Sequence, residues 1–157
     1  MFIIFQFSLD ISLLQCYPDV NEINFIHTHG GIAMNQIIST PAAPAAIGPY
    51  SQAIQAGGLL FLSGTMPIDP ATGALAEPQI AAQAEQVMKN IGAVLQAAGC
   101  TFEDVVKTTC FLADMGDFAA FNQVYAKYFT ENPARSCVAV KTLPKNVLCE
   151  VEVIAEV

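Results

Sequence analysis

Arg135 is the residue whose type and setting most invite chemistry. It is the only arginine of the chain, and its neighbours are small or apolar: Pro133, Ala134, Ser136, Cys137 and Val138. Such a guanidinium is either an ordinary strand-edge arginine in solvent or a partly buried one that needs an anion to satisfy it. Glu150 and Glu152 stand two apart, with Leu148 and Ile154 beside them. In a strand that spacing puts both carboxylates on one face. They read as a solvated acidic face, or as a pair of which one enters an interface pocket. There desolvation raises its pKa and fits it to move protons near neutral pH. Tyr50 follows Gly48-Pro49 and reads as a core aromatic with a wet hydroxyl or as a residue at the mouth of a site. Ser63-Gly64 closes an apolar run, where glycine either permits close backbone approach or makes a plain turn.

Other chemistries lack their parts. Cys137 as a nucleophile needs a base, and the only histidines, His27 and His29, precede the segment that reads as a domain. Cys–His and Ser–His–Asp hydrolysis are excluded on that ground. Zinc is disfavoured, because the two histidines are too close to share a helix face and have no cysteine pair nearby. Cysteines at 16, 100, 110, 137 and 149 are odd in number and form no CxxC, so they read as free, mostly buried thiols in a reducing, cytoplasmic compartment, an organelle included. Gly57-Gly58 matches neither phosphate-loop pattern. Fourteen acids against six bases give a net charge of −8, and no Lys or Arg occurs before Lys89. That balance argues against a nucleic-acid partner and against an anionic membrane surface.

The elements that must position these residues follow from composition and periodicity. A chain of 157 residues is one domain with room for a sizeable core. At 54% hydrophobic and 13% charged it has too few charges to give a monomer a solvated skin, so an obligate oligomer is expected. Residues 1–33 open on the apolar run Met1 to Phe7, without a basic start or a small-residue cleavage site. They read as a loosely attached leader or an over-extended start, with the domain over 34–157. Ser51 to Gln55 and Leu59 to Ser63 predict strands joined by a hairpin at Gly57-Gly58. Apolar residues at 3–4 spacing predict a helix over Gln79 to Ala98, stopped by Gly99. Val105 to Leu112 reads as a strand. A second helix, capped by Asp117, runs through Tyr128, and strands follow at Ser136 to Thr142 and Val147 to Ala155. The order ββαβαββ predicts a mixed α/β sheet with two helices on one face, the other face apolar and left for a partner.

Several stretches together resemble the RidA (YjgF/YER057c/UK114) family. They are Ala45-Ala46-Ile47-Gly48-Pro49-Tyr50-Ser51-Gln52-Ala53, Leu62-Ser63-Gly64, Val106-Lys107-Thr108-Thr109, Pro133-Ala134-Arg135-Ser136-Cys137-Val138, Leu143-Pro144-Lys145 and Glu150-Val151-Glu152. The resemblance covers about residues 36–157. It implies a chorismate-mutase-like fold, a homotrimeric barrel with clefts between subunits, and hydrolytic deamination of reactive imines and enamines to 2-keto acids and ammonia, with no metal or cofactor. It implies that Arg135 binds the substrate carboxylate and that Glu150 holds the attacking water. Cys137 would help through its backbone, while Tyr50, Ser63, Gly64 and Asn122 line the cleft. The alternatives are a non-catalytic, chaperone-like trimer that binds small carboxylates, and the older label of endoribonuclease or translation inhibitor. Thr130-Glu131-Asn132-Pro133 is shorter than the usual segment before the arginine motif, which bears on how the cleft closes.

Overall fold

The computed structural model describes residues 35–157. The leader reading of 1–33, Cys16 and the His27/His29 pair lie outside the described residues. Six strands form one sheet: β1 (Gln36–Ile38), β2 (Ala53–Ala56), β3 (Leu59–Thr65), β4 (Val105–Leu112), β5 (Ala134–Ala139) and β6 (Cys149–Glu156). Their spatial order is β1-β2-β3-β6-β4-β5. β4 and β5 run parallel and the other neighbouring pairs antiparallel. The parallel pair arises because helix α2 (Phe118–Tyr128) makes the crossover between its strands. Helix α1 (Ile80–Ala97) makes the crossover between β3 and β4.

Both helices cover one face, as the alternation of apolar residues requires. Along β6, Cys149, Val151, Val153 and Ala155 are buried, while Glu150, Glu152, Ile154 and Glu156 are not. Helix α1 lays Ala84, Val87, Met88, Ile91, Val94 and Leu95 into that core. It stops at Gly99, whose φ of 80° suits a residue without a Cβ. Gly57 and Gly58, with φ of 60° and 80°, form the two-residue hairpin turn between β2 and β3.

Four details differ from the sequence reading. The three-residue edge strand β1 was not anticipated. Strand β5 begins two residues before and β2 two residues after its expected start, and β6 begins two residues late, since Pro144–Asn146 forms a short 3-10 turn before it. Asp117 stands at the start of α2 without a side-chain capping bond; Asp114 instead accepts from the Gly116 N–H at 2.7 Å and caps the 3-10 turn leading into the helix. The second sheet face is mixed rather than apolar. Phe61 and Val138 are 42% and 47% exposed there, but Lys107, Thr109, Glu150 and Glu152 share the face. Among the described residues, no helix is long and apolar enough to cross a membrane.

Candidate active site

Arg135 lies on edge strand β5 in register with Thr108 of β4, so its side chain rises on the helix-covered face beside α2. Its Nη1 donates to Asn122 Oδ1 at 2.8 Å. The guanidinium carbon stands 4.6 Å from the centroid of the Tyr125 ring and 5.6 Å from that of Phe118. Within a single chain the residue is exposed, not partly buried, but rings and amide fix its orientation. The ion pair formed among the described residues joins Lys127 to Glu85, so Arg135 has no carboxylate there. It borders a groove of about 550 Å³ with Asn122, Tyr125, Phe129 and Pro133. The turn at its rim is tight: Asn132 has φ of 54°, a left-handed conformation asparagine tolerates.

Cys137, two residues along the same face, is half-buried. Burial pushes its thiol up while the Arg135 charge pulls it back. Behind it the Cys110 thiol is pushed up to about 12, mainly by burial. Neither is a thiolate near neutral pH, so thiol nucleophilic catalysis is not set up here.

Glu150 opens β6 on the opposite sheet face and is half-buried. Burial, and next the neighbouring Glu152, hold its carboxyl above the usual carboxylate range. It packs directly on Gly64, where a Cβ would stand 2.9 Å from Glu150 Cδ and overlap Oε1. Gly64 lies in the register shift between Leu62 and Thr65, where β3 bends away from regular pairing with β6. Ser63, Gly64 and Tyr50 line a cavity of about 40 Å³ together with Gln52 and Met66. Ser63 Oγ donates to the Ser51 carbonyl at 2.7 Å, and the Tyr50 hydroxyl accepts from the Ile47 N–H at 3.3 Å.

Three residues that organise these groups carry no role in the sequence reading, Gln52 and Thr108 standing there only within the family-like stretches. Gln52 Nε2 donates to the carbonyls of Thr40, Ala43 and Pro44, and its Oε1 accepts from the Thr40 N–H at 2.6 Å, which fixes the loop carrying Tyr50. Thr108 and Tyr125 share a buried hydroxyl bond of 2.8 Å beneath Arg135.

The two groups of residues do not meet within one chain. Arg135, Asn122 and Cys137 are together; Tyr50, Ser63, Gly64 and Glu150 are together. Glu150 pairs with Phe111, which pairs with Val138, whereas Arg135 pairs with Thr108, which pairs with Val153. An offset of three residues along the strands puts the two side chains on opposite faces. Two strand spacings and three residue rises separate their backbones by roughly 14 Å.

A family model described as Endoribonuclease L-PSP matches residues 40–157. The chain belongs to that family, the YjgF/RidA family. It is 49% identical over 126 residues to the 2-iminobutanoate/2-iminopropanoate deaminase of Salmonella typhimurium, covering 78% of this chain and 98% of the relative. It is 50% identical over 121 residues to the chloroplastic Reactive Intermediate Deaminase A of Arabidopsis thaliana, covering 76% of this chain and 65% of that one. The crystal structure of E. coli TdcF with bound serine matches with a TM-score of 0.74 at 42% identity, over 78% of this chain and 98% of that one. The mixed α+β fold read from the sequence is the fold of this RidA-family chain.

Proposed function

We propose that this RidA-family chain is a hydrolytic deaminase of reactive 2-imino and enamine acids, releasing 2-keto acids and ammonia. It acts as a homotrimer whose clefts join Arg135, Asn122 and Cys137 of one copy to Tyr50, Ser63, Gly64 and Glu150 of the next. The observation that carries the reading is the guanidinium of Arg135: oriented on three sides, it meets no carboxylate among the described residues. A forked contact to a substrate carboxylate is the partner such an arrangement lacks. The Salmonella and Arabidopsis names, and the serine bound to E. coli TdcF, supply the ligand class: small amino-acid-derived carboxylates.

The chemistry needs few parts. A protonated 2-imino acid is already electrophilic at its imine carbon. Glu150 holds a water and takes its proton as the oxygen bonds to that carbon. That proton passes to the amino nitrogen. As the C–N bond breaks, the new hydroxyl gives up its proton through Glu150 to the departing ammonia, which leaves as ammonium, and a 2-keto acid stays behind. One imino acid zwitterion and one water become one keto acid anion and one ammonium ion. The raised pKa of Glu150 keeps its carboxylate basic enough for the transfer. This route draws on no metal or cofactor, and free thiols at Cys100, Cys110, Cys137 and Cys149 fit a reducing compartment, cytoplasmic or organellar.

A second reading, a non-catalytic carboxylate binder, is favoured by the openness of the groove beside Arg135. Ribonuclease activity finds little support in a net charge of −8. The test is ammonia and keto-acid release from 2-iminobutanoate generated in situ by a pyridoxal-dependent dehydratase. Wild type accelerates it, and Arg135→Ala loses about 10- to 150-fold in kcat/KM, the worth of a charge-assisted contact of roughly 1.5–3 kcal/mol. Calorimetry showing 2-ketobutyrate binding without turnover would favour the second reading, and no binding at all would sink both.

A further inference from the structure

We infer that Tyr125, braced from behind by Thr108, is a positioning residue that presents the free edge of the Arg135 guanidinium to a carboxylate in the groove. The inference rests on the carboxylate-binding reading of Arg135 above. The Tyr125 ring lies 4.6 Å beneath the guanidinium carbon, and Phe118 stands at 5.6 Å. A ring face attracts a cation through its quadrupole, more strongly where water is excluded. Asn122 holds one terminal nitrogen at 2.8 Å. A guanidinium has five donors in one plane, so covering a face and one donor leaves others in that plane for a forked carboxylate.

The ring itself cannot turn. Tyr125 is 7% exposed, and its ring stacks on Phe129 with centroids 4.3 Å apart. Its hydroxyl is tied at 2.8 Å to Thr108, which is fully buried on β4. Thr108 is also the register partner of Arg135. Strand pairing therefore fixes, at one position along the sheet, both the arginine backbone and the hydroxyl that locks the ring beneath its guanidinium.

The experiment is calorimetry with 2-ketobutyrate on the full chain, beside the dehydratase-coupled assay. Tyr125→Met fills similar volume without a ring quadrupole and weakens binding roughly 5- to 30-fold. KM rises by the same factor while kcat stays within about 3-fold, because a carboxylate anchor binds ground and transition states alike. Tyr125→Phe keeps the ring but cuts its tie to Thr108, so its affinity lies between that of wild type and that of Tyr125→Met. A merely structural role would lower the binding stoichiometry, as folded protein is lost, without moving the affinity of what remains. Should Tyr125→Met not fold, Phe118→Leu reads the second ring, with a loss of roughly 2- to 5-fold. Wild-type affinity in Tyr125→Met, or in Phe118→Leu where that variant stands in, overturns the inference, as does a Tyr125→Phe affinity as weak as that of Tyr125→Met. If wild type binds no 2-ketobutyrate, the carboxylate reading of Arg135 itself is wrong and this inference goes with it.

Discussion

Gly64→Ala acts chiefly on the placement of Glu150, the side chain its Cβ would meet first. Gly64 does not adopt a left-handed φ, so alanine brings no backbone strain, and the nearest atoms its Cβ would meet all belong to the Glu150 side chain. That Cβ would stand 2.9 Å from Cδ and 3.2 Å from Cγ, and would overlap Oε1. Carbon atoms pack at about 3.5–4.0 Å, so the carboxyl carbon must retreat by at least about 0.6 Å and the overlapped oxygen by roughly 1 Å or more. The far end of a half-buried glutamate can make that move, so stability falls by less than about 1 kcal/mol. Catalysis has no such slack. A displacement of about 1 Å in a reacting group can cost on the order of 10² in rate, equivalent to roughly 2.7 kcal/mol at the transition state. The dehydratase-coupled assay, run beside urea denaturation, should find kcat reduced by about 100-fold and the unfolding midpoint nearly unmoved. A kcat within about 3-fold of wild type would refute the reasoning, since Glu150 could then act from a position that Gly64 does not define. A stability loss of several kcal/mol would also refute it, since something other than Glu150 would then be in the way.

Two further outcomes follow from the same geometry. Glu150 is held above the usual carboxylate range by burial and by Glu152, so the acid limb of a pH profile of kcat/KM lies above the ordinary carboxylate value near 4.3, and Glu150→Gln removes that limb along with most of the rate. The unfolded chain ionises this glutamate first. Its contribution to stability therefore falls as pH rises through the window between the ordinary and the raised value, and Glu150→Gln should be more stable than wild type at pH 7 with the advantage vanishing below that window, as urea titrations at both pH values would show. Asn90, 1% exposed on α1, donates to the carbonyls of Met66 and Ile68 at 3.0 and 2.8 Å and so ties down the chain that follows Gly64. Asn90→Leu takes the side-chain donor from the Ile68 carbonyl and leaves the Met66 carbonyl only the Ile68 N–H at 2.9 Å, and should cost roughly 1–3 kcal/mol in denaturant unfolding, whereas a loss well under about 1 kcal/mol would mean that water replaces the lost bonds.

Much of this architecture was legible because the chain is consistent across levels. The 3–4 spacing from Ile80 to Leu95, the stop at Gly99 and the Gly57-Gly58 turn each report one local rule, and each rule held. What escaped was non-local or too short to carry a period. Gln36–Ile38 is only three residues and gains its identity by pairing with Ala53–Gln55. Asp117 suits a cap by residue type and position, and only the backbone path decides that Asp114 instead reaches the Gly116 N–H. The candidate site divides in the same way. Residue types pointed to Arg135 and Glu150 singly, and family resemblance placed them in one cleft. Strand register then determined that they face opposite sides of the sheet, because Glu150 sits three rows from the Arg135 row across β6, β4 and β5. No local pattern carries that parity. The brace formed by Thr108 and Tyr125 was hidden for a related reason: it joins a strand and a helix seventeen residues apart through one hydroxyl pair.

The central claim is that each active site is completed by two copies of the chain, and mixing two impaired variants, assayed with substrate well below KM, tests it most directly. Arg135→Ala and Glu150→Gln would each keep at most about a tenth of the wild-type rate alone. Unfolded, combined in equal amounts and refolded together, they would form assemblies in which some clefts receive Arg135 from one copy and Glu150 from another. Random mixing predicts recovery of about a quarter of the wild-type activity, since each cleft has a one-half chance of drawing each intact residue. Mixtures that stay as inactive as their components would contradict the account, because a site built within a single chain would carry one lesion in every copy.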